Sequence, residues 1–340
     1  GAPQPGAPRA AAMRRSARRL LAFVPLREGQ YRVPPAQPIP ESVPRPPYAT
    51  RPDGRPDPLP QSAFAEVKSA EDIQRMRRAS VLARDALRAA LAVAKPGVTS
   101  HEVDRAAHEV AVAGGAYPVG VRFHGFPKAV CISPNEVACH GIPDERPLTD
   151  GDIVNVDVST YLDGFYGDTS AMVLIGNVDE EGRRLSEVCK RCRDEAIAAC
   201  RPGENFSTIG RIVSEIAHDN GYSVCETFNG HFIGRELHMR PNILHYYPNP
   251  KPSRRIIQQR RRLQQIHPAL RPVRRRTTRL DLVMRPGQTF TIEPIICQGK
   301  SDLRIWEDGW TAVTVDGGRT AQWEHTVLIT EDGHEVLTPL

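Results

Sequence analysis

From residue 71 to residue 115 apolar positions recur every three or four residues, and the pattern is broken twice. "EDIQRMRRASVLARDALRAALAVA" (71–94) predicts a helix that stops at Lys95-Pro96-Gly97. "VTSHEVDRAAHEVAVAGG" predicts a second, with Thr99 and Glu102 at capping-box spacing and Gly114-Gly115 as its stop. "RPGENFSTIGRIVSEIAHDNGY" repeats the second plan 106 residues later: Pro96-Gly97 matches Pro202-Gly203, Val103 matches Ile209, Val110 matches Ile216, and Gly115 matches Gly221. The period then changes to that of strands. "NVDVSTYLDGFYGDTS" (155–170) predicts a β-hairpin turning at Asp163-Gly164. A loop centred between Leu162 and Asp163 sets Asp157 directly opposite Asp168, and like charges so placed repel. A register one residue off would send one of them to solvent instead.

The repetition continues into the strands. "DGDIVNVDV" (150–158) resembles "PGQTFTIEP" (286–294), and "GDTSAMVLI" (167–175) resembles "WEHTVLI" (323–329), which pairs Asp168 with Glu324. Two similar α/β halves would each bring two acids toward a shared centre.

Composition refines this picture. The chain has 340 residues, 40% of them apolar, enough for a large core, and no apolar run reaches the ~18 residues of a membrane span. Seven scattered cysteines (131, 139, 189, 192, 200, 225 and 297) fit a reducing compartment rather than a disulfide framework. Cys189 and Cys192 form a lone C-x-x-C on a helical stretch, with no second pair to complete a zinc site. Charge is unevenly spread. Out of a net +5, residues 1–60 carry +6 and residues 251–279 carry +11, leaving −12 on the body. Residues 1–60 also hold 15 of the 31 prolines, so 1–65 are expected to form a disordered arm, with a globular body over 66–340. Within the arm, "MRRSARRLLAFVPLR" has the composition of a mitochondrial transit peptide, with a cytoplasmic location as the alternative.

Four carboxylates, Asp157, Asp168, Glu293 and Glu324, cannot all ionise in one buried site unless cations offset them. Two divalent ions would suffice. Carboxylates with an imidazole suit Mn, Fe, Co or Zn, and "FNGHFIGRELHMRPNILHYY" offers His231, His238 and His245. Any one of these taken alone is more often structural.

The motifs "GFPKAVCISPNEVACHGIP", "DGDIVNVDV", "GFYGDTS", "NGHFIGRELH", "TFTIEP" and "QWEHTVLIT" resemble, in order, those of the type 1 methionine aminopeptidases, peptidase family M24, and most closely their mitochondrial 1D subclass. The resemblance implies an α+β pita-bread (creatinase/aminopeptidase) fold, two similar halves with antiparallel sheet around a dinuclear site. It puts the metal ligands at Asp157, Asp168, His231, Glu293 and Glu324, with Glu293 also passing a proton. It places His140 and His238 against the substrate, and a methionine pocket at Phe123, Phe126, Cys131 and Trp310. The implied partners are nascent peptide N-termini, with ribosome association through positive charge.

Three features depart from the family. Phe232 stands where glycine follows the ligand histidine, which would strain the strand if that position needs φ > 0 or a close backbone approach. Leu237 replaces an aromatic. A basic segment, about 250–279, interrupts the body and offers charge for RNA or an anionic surface, but no aromatic platform for stacking bases. The expected function is therefore a metal-dependent aminopeptidase acting on N-terminal methionine. The alternatives are a non-catalytic pita-bread protein that binds through the insertion, and a prolidase or aminopeptidase P relative.

Overall fold

The computed structural model describes residues 23, 25–59, 64–247 and 282–340. The transit-like stretch 13–27 falls largely outside the described residues, and the basic insertion 250–279 wholly so.

Helix α1 (Ala70–Val93) starts at a capping box between Ser69 and Asp72, and α2 (Ser100–Ala113) at one between Thr99 and Glu102. Then come β1 (Tyr117–Pro118), β2 (Cys131–Pro134), β3 (Val137–Cys139) and the hairpin β4 (Ile153–Leu162) and β5 (Phe165–Leu174). Helices α3 (Glu180–Ala198) and α4 (Ser207–Asp219) lead into β6 (Ser223–Val224), β7 (Gly230–Phe232) and β8 (Met239–Ile243). The last part holds β9 (Thr289–Ile292), β10 (Ile295–Cys297), β11 (Leu303–Ile305), β12 (Ala312–Thr314), β13 (Thr320–Gln322), β14 (His325–Ile329) and β15 (His334–Val336). All strand pairings are antiparallel; β4 lies between β5 on one edge and β1 and β2 on the other, and a second sheet runs β15-β14-β9-β7-β8.

Each half has its own core. Met76, Leu87, Val103, Val156 and Phe165 are buried between α1, α2 and the β4–β5 sheet, whereas Leu185, Ile209, Val213, Phe290 and Val327 are buried between α3, α4 and the second sheet. The expected repeat is present in three dimensions. The Gly97 amide donates to Leu148 O (2.8 Å) as the Gly203 amide donates to Met284 O (2.9 Å), and the bridge Thr99↔Pro147 recurs as Asn205↔Val283. Close approach fixes one residue of the hairpin: a Cβ on Gly167 would lie 2.6 Å from the backbone of Ala79, so α1 can rest on β5 only with glycine there.

Three expectations are corrected. The hairpin turns between Asp163 and Gly164, both at positive φ (52° and 85°), so Leu162 pairs Phe165, Asp157 pairs Ser170 and Ser159 pairs Asp168. The two aspartates are diagonal neighbours on one face rather than directly opposed; moving a partner by two residues preserves the face. Residues 25–59, expected to lie in a disordered arm, pack onto the body. Tyr48 is 1% exposed, its hydroxyl donates to Val119 O, and Gly54 O accepts from the His124 amide. Proline stiffens the unfolded chain and so lowers the entropy lost when an extended strap docks. Finally, Phe232 is not strained. Its φ is negative, and its ring is fully buried between Phe206 and Phe290, with centroids 5.4 and 5.9 Å away. Leu237 likewise lies in the first core.

Candidate metal centre and its cleft

Five strands or strand ends bring the predicted acids and one histidine to the seam between the halves. Asp168 on β5 accepts from Ser159 Oγ at 2.8 Å through Oδ1, and its Oδ2 lies 3.6 Å from His231 Nε2. His231 on β7 lies 3.5 Å through Nε2 from Glu293 Oε1, just past β9. Asp168, His231 and Glu324 each offer an atom within 4.8 Å of the others. Asp157 on β4 stands opposite Cys131 on β2. Hydrogen bonds to backbone carbonyls tie the halves reciprocally: Thr169 Oγ1 donates to Glu324 O (3.1 Å), Thr326 Oγ1 donates to Asp168 O (2.8 Å), and the Glu324 amide donates to Ser170 O (3.0 Å).

The electrostatics of this cluster suit a cation. Burial pushes the Asp157 and Glu324 carboxyls well above the usual carboxylate range and Glu293 up to about 7, and in each case neighbouring carboxylates add to the effect. Burial pulls His231 down, but the hydrogen bond with Asp168 and the charge of Glu293 outweigh it and leave it raised. His231 Nδ1 is 3.1 Å from Phe232 O and donates to it, so Nε2 is the nitrogen that faces the acids and, when deprotonated, turns its lone pair toward them. Four carboxylates and an imidazole so directed fit divalent ions that accept both oxygen and nitrogen.

Imidazole and aromatic rings cluster beside the acids. The His238 ring stacks edge-on to His231 (4.5 Å) and lies near Phe123 (5.5 Å), and it is solvent-exposed although protein surrounds it. That enclosure, then the neighbouring His231, His140 and His124, hold its imidazole well below its ordinary value. His140 meets Phe228 at 5.0 Å and Trp310 at 6.0 Å, and Trp310 meets Phe126 at 5.0 Å edge-on. Phe123 thus borders His238, Cys131 borders Asp157, and Phe126 and Trp310 group around His140.

Several residues escaped the sequence. Thr291 Oγ1 accepts from the His231 amide (3.0 Å) and donates to Glu293 Oε1 (2.8 Å), while Gln322 Nε2 lies 3.3 Å from Glu293 Oε2. Phe228 completes the aromatic wall; its only signal was an aromatic three residues before His231. His245 is not directed at the acids: its Nε2 faces the Glu293 amide (3.1 Å) and its Nδ1 the Gly230 amide (3.3 Å), and burial pushes it down to about 3. Cys189 and Cys192 are buried on α3, with their thiols against backbone carbonyls.

The family model "Metallopeptidase family M24" matches residues 74–331. Methionine aminopeptidase 1D, mitochondrial, of Danio rerio is 44% identical over 308 residues, covering 90% of this chain and 80% of that protein. Among solved structures, methionine aminopeptidase from Rickettsia prowazekii superposes with a TM-score of 0.70 at 35% identity, over 81% of this chain and 99% of that one. The prolidase from Pyrococcus furiosus superposes with a TM-score of 0.57 at 22% identity, over 81% of this chain and 65% of that one, a likeness of fold alone.

Proposed function

The chain belongs to metallopeptidase family M24, and from that premise we propose that it is a metal-dependent methionine aminopeptidase, removing the N-terminal methionine of newly made proteins whose second residue is small. The observation that carries this reading is the meeting of Asp168, His231, Glu293 and Glu324 at the seam between the two halves. Two divalent ions of Co, Mn, Fe or Zn, held by Asp157, Asp168, His231, Glu293 and Glu324, would supply Lewis acidity and a nucleophile at neutral pH.

The chain's own residues do the rest. Glu293 is fixed by Thr291 and Gln322 and takes up and returns a proton at its carboxylate. His238 and His140 hydrogen-bond the substrate carbonyl and the scissile amide, where charge develops. Phe123, Phe126, Cys131 and Trp310 enclose the methionine side chain, and Phe228 backs His140. The catalytic body includes the packed strap 25–59 as well as residues 66–340. Its working place is the mitochondrion, a reading that rests on the Arg-rich, acid-free stretch 13–27 and on the name of the Danio rerio relative. Among the described residues no helix is long and apolar enough to cross a membrane.

The test is release of free methionine from a Met-Ala-Ser peptide by the metal-loaded chain, together with its metal content. Activity should vanish in Asp168→Ala, which removes one carboxylate of the cluster. A chain that takes up no Co or Mn and stays inert with either overturns the reading.

A further inference from the structure

Strand β7 carries His231 and β9 leads to Glu293, yet the two strands are joined by an ordinary ladder only away from the site. There Phe232 pairs Phe290, and the Ile233 amide donates to Thr289 O at 3.2 Å. Toward the acids the ladder stops, and β7 shows an irregular step between His231 and Phe232 on its other edge. The strands remain close: a Cβ on Gly230 would lie 2.4 Å from Thr291 O and 3.0 Å from the His245 ring. Buried amides must still find acceptors. The His231 amide finds Thr291 Oγ1 (3.0 Å), whose own proton goes to Glu293 Oε1 (2.8 Å), and the Glu293 amide finds His245 Nε2 (3.1 Å). A neutral imidazole accepts at one nitrogen only, and the shorter contact assigns that role to Nε2 rather than to Nδ1, which faces the Gly230 amide at 3.3 Å.

We propose that Thr291 and His245 are positioning residues that replace the missing ladder between β7 and β9 and so set the spacing between His231 and Glu293, and with it the affinity and geometry of the metal site. This deepens the metallopeptidase reading and rests on it. Two side chains acting as wedges explain why Thr291 is fully buried with a hydroxyl that bridges a backbone amide and a carboxylate. They also explain why a histidine that is 1% exposed lies beside the acids without pointing at them.

The experiment is calorimetric titration of the metal-stripped full chain with Co(II), together with the visible absorption spectrum of bound Co(II). Glutamine can place an acceptor where Nε2 lies, and asparagine only where Nδ1 lies. His245→Gln should therefore keep most of the Co(II) affinity and the spectrum, while His245→Asn loses roughly 10- to 100-fold in affinity, as outer partners of metal ligands commonly cost. Thr291→Ser should behave as the unaltered chain, and Thr291→Val should weaken binding over the same range with a shifted spectrum. Equal affinities and spectra for Asn, Gln, Ser and Val variants overturn this inference alone, and so does an equal loss in both members of each pair. An unaltered chain that binds no Co(II) overturns the metal-site reading and this inference with it.

Discussion

Replacing Phe232 with glycine asks whether the ring beside His231 strains its strand or holds it. The side chain is fully buried, and it packs 5.4 Å from the Phe206 ring and 5.9 Å from the Phe290 ring, on the face of β7 opposite the acids. Truncating a buried phenylalanine to alanine costs about 3–5 kcal/mol, transfer and cavity together. Glycine within a strand adds about 0.5–1 kcal/mol of backbone entropy. The sum, roughly 4–6 kcal/mol, is a large share of the ~5–15 kcal/mol that holds a native protein together. At ~2–4 °C per kcal/mol, the unfolding midpoint should fall by roughly 10–20 °C. Phe232→Leu keeps most of the volume and should lose much less.

The assay is urea and thermal unfolding of the metal-stripped and Co(II)-loaded forms, followed by tryptophan fluorescence and circular dichroism. Loading separates local from global effects. If the ring only fills the core, Phe232→Gly lowers the midpoint of both forms alike. If it also holds His231 in register, the stabilisation gained on loading shrinks as well, since that gain follows metal affinity. A glycine variant as stable as the unaltered chain, or one that binds Co(II) more tightly, would show that the phenylalanine is strained, and the packing argument would fail.

Two further outcomes follow from the site. Without metal, Glu293 titrates near 7 when folded against about 4.5 unfolded, and Asp157, Glu324 and His231 are also raised. Stability from these groups is fully present below their unfolded values and is lost as pH rises through the folded ones, up to roughly 3 kcal/mol from Glu293 alone. The metal-stripped chain should therefore melt progressively lower between about pH 5 and pH 8, and Mn(II) should restore the loss at pH 8; scanning fluorimetry that finds the opposite slope refutes this account. Separately, His238→Ala should lower kcat on Met-Ala-Ser by about 100- to 1000-fold while leaving Co(II) binding intact. Loss of the metal together with activity would instead make His238 part of the ligand frame.

Local signals in the sequence were legible where their physics is local. Thr99 and Glu102 form the capping box their spacing announces, and Gly114 caps α2. The acids lie on strands or just beyond strand ends at the seam, as the repeated motifs imply. Turn chemistry was read one step short. Asp-Gly needs both residues at positive φ, and that centres the loop on the dipeptide instead of before it. The face was recovered and the partner was not. Proline content signals disorder only when no surface awaits the chain; in the strap 25–59 Tyr48 lodges against Tyr117 and Phe123. Nothing local announces how Thr291 and His245 are used, although His245 stood out as a candidate imidazole. Their bonds to His231 and Glu293 span 60 and 48 residues, and only the fold brings the partners together.

The repeat also explains how one scaffold holds its acids stiffly and surrounds them with side chains from a longer excursion. In the first half β4 and β5 are joined by a two-residue turn and pair over ten consecutive positions, so Asp157 and Asp168 sit on a stiff ribbon. In the second half the corresponding strands, β9 and β14, also pair directly, but residues 293–324 run between them as β10 to β13. That excursion carries Trp310 to Phe126 and His140, and Gln322 to Glu293. The two halves meet through the reciprocal bonds of Thr169 and Thr326, which place Asp168 and Glu324 as counterparts. Neither half alone brings the four acids and His231 together: the tightly turned hairpin holds Asp157 and Asp168 stiffly, and the longer excursion of the other half sets Trp310 beside His140 and Gln322 against Glu293.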